Sequence, residues 1–447
     1  MTIKQINFLS HVEGGSIVNP LFKGWEQKAV QVLDRTLADT LPGVKSESTL
    51  PVIIEMTPNA KEEERQEIKQ LCQQRKRDEI VNELKYIPMV TATICQDTLR
   101  EAAHHPGVKR IFYDQQVRAY LDVAVPTVAA DEAHARWGLT GKGITVAVLD
   151  TGIEAHDDLT KPENRLAGFN DLVGNETESY DDNGHGTHVA GIIAGNGYRS
   201  DGKYVGSAPE ANLVGVKVLD NRGSGQVSTI MRGIDWCIQE KEQYNIRVIN
   251  LSLGGPATEP YTDDPLSRMV EQAWHNGIVV CAAAGNEGPE PGTIGTPGFH
   301  PSIVTVGATY DQNTETTEDD KESEFSSRGP TVDHLNKPDV LAPGEKIVSL
   351  LAENSPLNRR IERGDLSSPL DGYVELSGTS MATPLCAGVA ALLIQHNESL
   401  SPNDVKSILV SSSTHLKGSQ PGYVNVVSAL KLAEVYLEYG SHDVYSS

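Results

Sequence analysis

The sequence predicts an α/β protein: a three-layer α/β/α domain on a mainly parallel central sheet, preceded by a smaller α/β unit. Two observations carry that expectation. Beyond Lys142, strand-length runs of almost unbroken apolar, β-branched residues alternate with helical stretches. Strands apolar on both faces call for a parallel sheet covered from both sides. Upstream, residues 50–121 alternate strand and helix signals.

In chain order, residues 1–48 mix short apolar and polar stretches without a readable motif and stand as an N-terminal extension. LPVIIEM (50–56) reads as a strand and KEEERQEIKQLCQQ (61–74) as an amphipathic helix. ELKYIPMVTATIC (83–95) reads as a strand or bent pair. DTLREAAHH (97–105) follows as a helix with Asp97 at its N-cap, stopped by Pro106-Gly107. VKRIFYDQQVRAYL (108–121) closes as a strand, so residues 49–121 have the β-α-β-(β)-α-β order of a ferredoxin-like unit.

The larger domain is expected over 122–437. Its strands are GITVAVLD (143–150), ANLVGVKVLD (211–220), IRVINLSLG (246–254), GIVVCAAAG (277–285) and SIVTVGA (302–308). THVAGIIAG, VSTIMRGIDWCIQEKE and SRMVEQAWHN are helical spacers. DQNTETTEDDKES (311–323) and ENSPLNRRIERGDLSSPLDG (353–372) read as mobile surface insertions, and 438–447 as a loose tail.

A length of 447 residues suggests two or three units. Thirty-eight Lys and Arg stand against 61 Asp and Glu, a net charge of −23. That balance argues against a nucleic-acid partner, which needs clustered cations, and favours solubility. The N-terminal stretch has no apolar core of a secretory signal. No stretch approaches the roughly 20 apolar residues of a membrane span. Five cysteines with no CxxC pair suggest neither a disulfide framework nor a zinc site. The expected placement is the cytoplasm, with no membrane partner.

Three segments concentrate reactive side chains among glycines: DTGIEAHDDL from Asp150, NGHGTHVAGIIAG from Asn183 and SGTSMATPLCAGVAALL from Ser377. Asp150 ends an apolar strand, where a carboxylate needs partners. His185 lies between glycines that allow close backbone approach. Ser380 opens a small-residue helix whose N-terminus favours developing negative charge. A serine hydroxyl is a poor nucleophile until a base takes its proton, and an acid–base–nucleophile set is recognised by roles, not chain order. HGTH lacks the glutamate pattern of a zincin, and a single DTG does not make an aspartic protease, which needs two.

In the order Asp, His, Ser and in their flanks, these segments resemble the subtilisin-like serine proteases (subtilases). Secondary matches are FSSRGP (325–330), KPDVLAPG (337–344) and GYVNVVSAL (422–430), so the resemblance spans about residues 137–435. It implies a subtilisin-like fold and a serine endopeptidase working through an acyl-enzyme. Ser380 would be the nucleophile, His185 the base, Asp150 its orienting acid and Asn286 of AAAGNEG the oxyanion donor. His188, the second histidine of HGTH, is expected to be structural. Gly223-Ser224-Gly225 and Ser252-Leu253-Gly254 resemble the two segments that clamp a substrate peptide. Ala283, Ala284, Gly285 and Gly295 match the pocket for the residue before the cut. Small uncharged walls there imply a preference for apolar or aromatic residues.

By position and pattern, the same resemblance implies that residues 49–121 are a pro-domain that assists folding and inhibits the site as a zymogen, with any processing joint near Tyr120-Leu121-Asp122; the alternative is a fixed accessory domain that is never removed. Absence of a signal, acidity and the Trp236–Leu266 interval look like the long intracellular bacterial branch often called AprX-like. No cofactor is implied for the chemistry. Structural calcium is an expectation at Asp158, with Asn196 and Asp201 as further oxygen donors in a loop that departs from the family pattern. Two other functions stand beside hydrolysis of polypeptides: a non-catalytic peptide-binding protein, which the complete set of reactive residues argues against, and amine capture of the acyl-enzyme, which the sequence leaves open.

Overall fold

The computed structural model describes residues 32–33, 37–38, 41, 44, 48–57, 60–83, 89–113, 124–312, 314, 316–416, 418–419 and 421–439. They fall into two compact units, divided between Gln116 and Val117. The processing joint expected at 120–122 and the tail beyond 439 lie outside the described residues, as does most of the N-terminal extension.

Among the described residues, the first unit is built on a four-stranded antiparallel sheet packed with two helices of ten and nine residues. β1 (Thr49–Met56) leads into α1 (Glu62–Leu71), then β2 (Glu79–Glu83), β3 (Met89–Cys95), α2 (Gln96–His104) and β4 (Val108–Tyr113). The sheet order is β2-β3-β1-β4. β1 alternates half-buried and buried residues, the period-two pattern of a sheet with one face on a core. Val52, Ile54, Ile68, Leu99 and Ile111 fill that core. Cys95 occupies the N-cap of α2, so Asp97 falls in its first turn, where it complements the helix dipole without capping. β2 was not separately legible, because EIVNE sits between charged residues and is short.

The second unit is built on strands β5 (Thr145–Asp150), β6 (Leu166–Asp171), β7 (Asn212–Lys217), β8 (Ile246–Leu251), β9 (Val279–Ala283), β10 (Val304–Tyr310), β11 (Lys321–Glu322) and β12 (Val340–Pro343). β13 (Ile347–Leu350), β14 (Tyr373–Leu376), β15 (Thr414–His415) and β16 (Gly422–Tyr423) follow. The main sheet runs β15-β16-β12-β10-β9-β8-β5-β7-β6, with β11 beside β10. From β6 to β16 neighbours are parallel, while β11 and β15 are antiparallel edges. β13 and β14 pair apart as an antiparallel ribbon. Every residue of β5 is buried, as expected of a strand covered on both faces.

Around the sheet lie α3 (Ala130–Trp137), α4 (His185–Ala194), α5 (Val227–Gln239), α6 (Pro265–His275), α7 (Pro356–Glu362), α8 (Thr379–His396), α9 (Pro402–Ser411) and α10 (Val426–Tyr439). α8 is buried almost throughout, consistent with a helix apolar on all sides. Gly388 lets α8 approach the 207–208 turn, since a Cβ there would lie 2.0 Å from Ser207 Oγ.

Both insertions are more structured than expected. Lys321–Glu322 pairs with Thr309–Tyr310. The 353–372 segment contains α7, whose Leu357 joins Leu351 and Val374 in a satellite core. α10 (Val426–Tyr439) continues two residues into the stretch expected as a loose tail from 438.

One buried charge cluster needs its partners to be tolerated. Lys337 Nζ donates to Ile303 O, Thr305 Oγ1 and Asp339 Oδ2, while Lys406 lies 3.0 Å from Asp339 Oδ1. Burial pushes the Lys337 ammonium down to about 7; Asp339 opposes that shift and Lys406 reinforces it. The five cysteines are free thiols: Cys72 and Cys95 in the first unit, Cys237, Cys281 and Cys386 in the second, all buried except Cys95. Burial pushes the Cys72 thiol up to about 12. No helix among the described residues is long and apolar enough to cross a membrane.

Candidate active site

A switch in strand order at β5 places three reactive segments at one end of the sheet. β7 and β8 flank β5 on opposite sides, and such a switch in strand order leaves a crevice beyond the carboxyl ends. Asp150 is the last residue of β5, Ser252 follows β8, and His185 opens α4.

Asp150 is fully buried and its Oδ1 lies 2.8 Å from His185 Nδ1. The same oxygen accepts from Thr151 N at 2.7 Å. A carboxylate acceptor makes Nδ1 the protonated ring nitrogen and leaves Nε2 as the basic one. Burial works to lower the His185 pKa, but the charge and hydrogen bond of Asp150, with the charge of Asp181, outweigh it and raise it.

Asp181, which the sequence reading missed, organises the turn into α4. Its Oδ1 accepts from Thr151 Oγ1 (2.9 Å), Asn183 N (3.1 Å) and Gly184 N (2.8 Å). Its Oδ2 accepts from Thr187 N (2.8 Å) and Thr187 Oγ1 (2.7 Å). Thr151 Oγ1 in turn accepts from Gly186 N at 2.9 Å. One carboxylate thus ties the end of β5 to the start of α4. Glycine is required at 186, where a Cβ would stand 2.1 Å from Gly152 O. A charged side chain beside the NGHGTH string was the available signal.

Lys217, also missed, is fully buried and donates to Thr151 O (2.6 Å), Leu219 O (3.0 Å) and Asp182 Oδ1 (2.6 Å). It ties the ends of β5 and β7 together. His188 lies in the core, its Nε2 donating to Ile347 O and Val374 O, both at 3.1 Å. Burial and the neighbouring His185 push its pKa down to about 3. It therefore bridges β13 and β14 as a neutral donor.

Ser380 sits in the first turn of α8. Pro384 has no N–H, so the Ser380 carbonyl lacks its usual helical donor. Ser252 Oγ supplies one at 2.8 Å, and Ser380 Oγ donates to Ser252 O at 3.0 Å. This reciprocal pair seats the hydroxyl against the segment after β8. Asn286 Oδ1 accepts from Thr379 N (2.9 Å) and Thr379 Oγ1 (3.0 Å), which fixes which end of the amide is left to donate.

Two adjoining cavities share Ser380, Leu253 and Gly254. One, of about 540 Å³, is lined by His185, Gly223, Ser224, Gly225 and Ser252 among others. The other, of about 420 Å³, is lined by Ala283, Ala284, Gly285, Asn286 and Gly295. All these residues expected from the sequence therefore meet at one cleft. Glu287 also lines the second cavity, so its walls are not wholly uncharged. Glu287 Oε2 accepts from Asn286 N at 2.9 Å and Ser327 Oγ at 3.3 Å.

The calcium expectation does not fit. Asp158 is buried with Oδ1 accepting from Arg199 N (2.9 Å) and Oδ2 from Tyr373 OH (2.8 Å). Asn196 Oδ1 accepts from Tyr198 N, and its amide donates to Lys161 O. Asp201 is exposed in a left-handed turn. Among the described residues no group of three or more acidic, His or Cys side chains could hold a metal ion.

The model of the subtilase family matches residues 141–427. Serine protease AprX of Bacillus subtilis (strain 168) is 43% identical over 386 residues, covering 85% of this chain and 86% of that protein. Subtilisin E of the same organism is 35% identical over 359 residues, covering 78% and 82%. Among solved structures, sphericase superposes with a TM-score of 0.52 at 30% identity, covering 64% of this chain and 88% of that one.

Proposed function

Because the chain belongs to the subtilase family of serine proteases, we propose that Asp150, His185 and Ser380 cut peptide bonds of polypeptides through an acyl-enzyme. The observation that carries this reading is the 2.8 Å contact of His185 Nδ1 with the buried Asp150, at a cleft His185 shares with Ser380. In the reaction, the Ser380 hydroxyl leaves Ser252 O, gives its proton to His185 Nε2 and attacks the scissile carbonyl. Asp150 holds the imidazole in this tautomer and stabilises the imidazolium. The amide of Asn286 and the backbone N–H of Ser380 donate to the oxyanion. His185 then returns its proton to the departing amine, and water repeats the sequence on the ester. These steps draw on protein groups, and none passes through calcium.

The substrate backbone pairs between Gly223–Gly225 and Ser252–Gly254, a mode that makes little demand on sequence. An apolar or aromatic side chain before the cut fills the cavity lined by Ala283, Ala284, Gly285 and Gly295; its predominantly small walls support that preference. Residues 49–121 act as the inhibitory pro-domain, on the strength of their position before the protease unit. Five unpaired thiols support a reducing, cytoplasmic setting.

The test compares wild type with Ser380→Ala by intact mass and by turnover of a chromogenic peptide with Phe or Leu before the reporter. Turnover in wild type alone is expected, with a cut near residue 121 if the pro-domain is processed. Equal turnover in both proteins would remove Ser380 from the mechanism.

A further inference from the structure

We infer that Arg222 is a specificity-determining residue, favouring polypeptides with an acidic side chain among the second to fourth residues before the cut. The inference rests on the proteolytic reading of this cleft and adds a charge preference to it. Arg222 lines the same cavity as His185 and Ser380, and among the described residues lining it Arg222 and His185 are the two that carry an ionisable nitrogen. Its backbone is fixed. Asp220 Oδ1 accepts from Arg222 N (2.9 Å) and Ser224 N (3.0 Å), and Asp220 N closes the turn onto Ser224 O (2.8 Å). Asn183 Nδ2 donates to Asn221 O at 3.2 Å, tying this turn to the one that carries His185.

The Arg222 side chain is exposed and forms no ion pair among the described residues. Asp220 stands close enough for Arg222 to help lower its pKa, after its backbone hydrogen bonds, yet it spends Oδ1 on backbone N–H groups. The setting makes a free guanidinium informative. Residues 117–447 carry 23 Lys and Arg against 45 Asp and Glu, whereas residues 1–116 carry 15 against 16. The overall field of the protease unit therefore repels acidic peptides, and any attraction must act within about one Debye length, ~8–10 Å at ordinary ionic strength.

A guanidinium fork matches a carboxylate in a two-bond geometry. Ser380 and Gly254 border both cavities, so a peptide with its last acyl-side residue in the 420 Å³ cavity runs directly into the one Arg222 lines. An extended chain advances about 3.3 Å per residue, which brings the second to fourth upstream residues past the Gly223–Gly225 turn.

The experiment uses the full chain and internally quenched peptides with Phe before the cut and Glu, Gln or Lys at each of the three preceding positions. Wild type should prefer Glu over Lys at one position or more by about two- to tenfold in kcat/KM, the size of a solvent-exposed ion pair and its repulsive counterpart. Arg222→Gln should bring that ratio close to one, and Arg222→Glu should invert it. One molar salt should shrink the wild-type ratio. Because the ratio is internal to each variant, a general loss of turnover does not affect it. Cleavage of the Gln peptides without charge discrimination, or the same ratio in Arg222→Gln, overturns the assignment and leaves proteolysis standing. Failure to cut any peptide overturns both.

Discussion

Replacing Asp181 with Asn should separate positioning of the base from the base itself. The Asn oxygen can keep the three donors now on Oδ1, from Thr151, Asn183 and Gly184. Its amide then faces Thr187 N–H, which lies 2.8 Å from Oδ2, so two donors oppose each other. A buried donor left without an acceptor costs about 1–3 kcal/mol, and hydrogen bonds to a charged group are individually worth about 1.5–3 kcal/mol. Local destabilisation of about 2.5–6 kcal/mol is therefore expected at the β5–α4 junction. A shift of the base by about 1 Å costs about 10²-fold in rate. The second signature is in pH. Asp181 is one of the charges raising His185, and the base must be neutral to act, so its acid limb should move to lower pH in the variant. The assay is kcat/KM of a neutral peptide across pH 5–9 for both proteins, with thermal melting as the control for folding. A plateau within threefold of wild type and an unmoved limb would refute the positioning role. A lowered plateau with an unmoved limb would assign Asp181 to structure alone.

Two further outcomes follow, one from the site and one from the buried Lys337 cluster. Asp150→Asn keeps the shape of a fully buried side chain but removes the charge facing His185, so kcat should fall by about 10⁴ with KM changed only a few-fold; a loss under tenfold in stopped assays would count against the triad. Lys337 titrates near 7 when folded and near its ordinary 10.5 when unfolded, so the unfolded chain binds more protons between those values and stability rises with pH across that window. In a Ser380→Ala background, which prevents self-digestion, the unfolding free energy from denaturant titrations should rise between pH 7 and 10 by up to about 1.4 kcal/mol per pH unit; Lys337→Met should flatten that slope, and an equal slope in both would contradict it.

Much of the main fold was legible because buried parallel strands are continuous apolar runs. TVAVLD and VVCAA need no partner sequence to be read. LAGFND of β6 escaped notice, since only its last residue is buried. The two-residue strands β15 and β16 are defined by their neighbours, not by their own composition. At the site, glycine-framed Asp150, His185 and Ser380 were visible because their flanks are unusual. Asp181, Lys217 and Arg222 were not, because each is an ordinary charged residue whose meaning depends on which backbone groups the fold brings to it. Asp158 shows the reverse: its sequence position suggested a metal, whereas the hydroxyl of Tyr373, 215 residues away, and a loop N–H take up its oxygens.

The cysteines give the protein an intrinsic gauge of opening. A small thiol reagent reaches a sealed sulfur only when the surrounding structure comes apart, and each unit carries its own set: Cys72 in one, Cys237, Cys281 and Cys386 in the other. Cys95, partly exposed, supplies the fast reference. The order in which the slow sulfurs acquire mass, followed in Ser380→Ala over a denaturant series, distinguishes a chain whose halves yield together from one whose halves yield in turn. If Cys72 labels first, the N-terminal unit can come apart while the protease unit keeps its core.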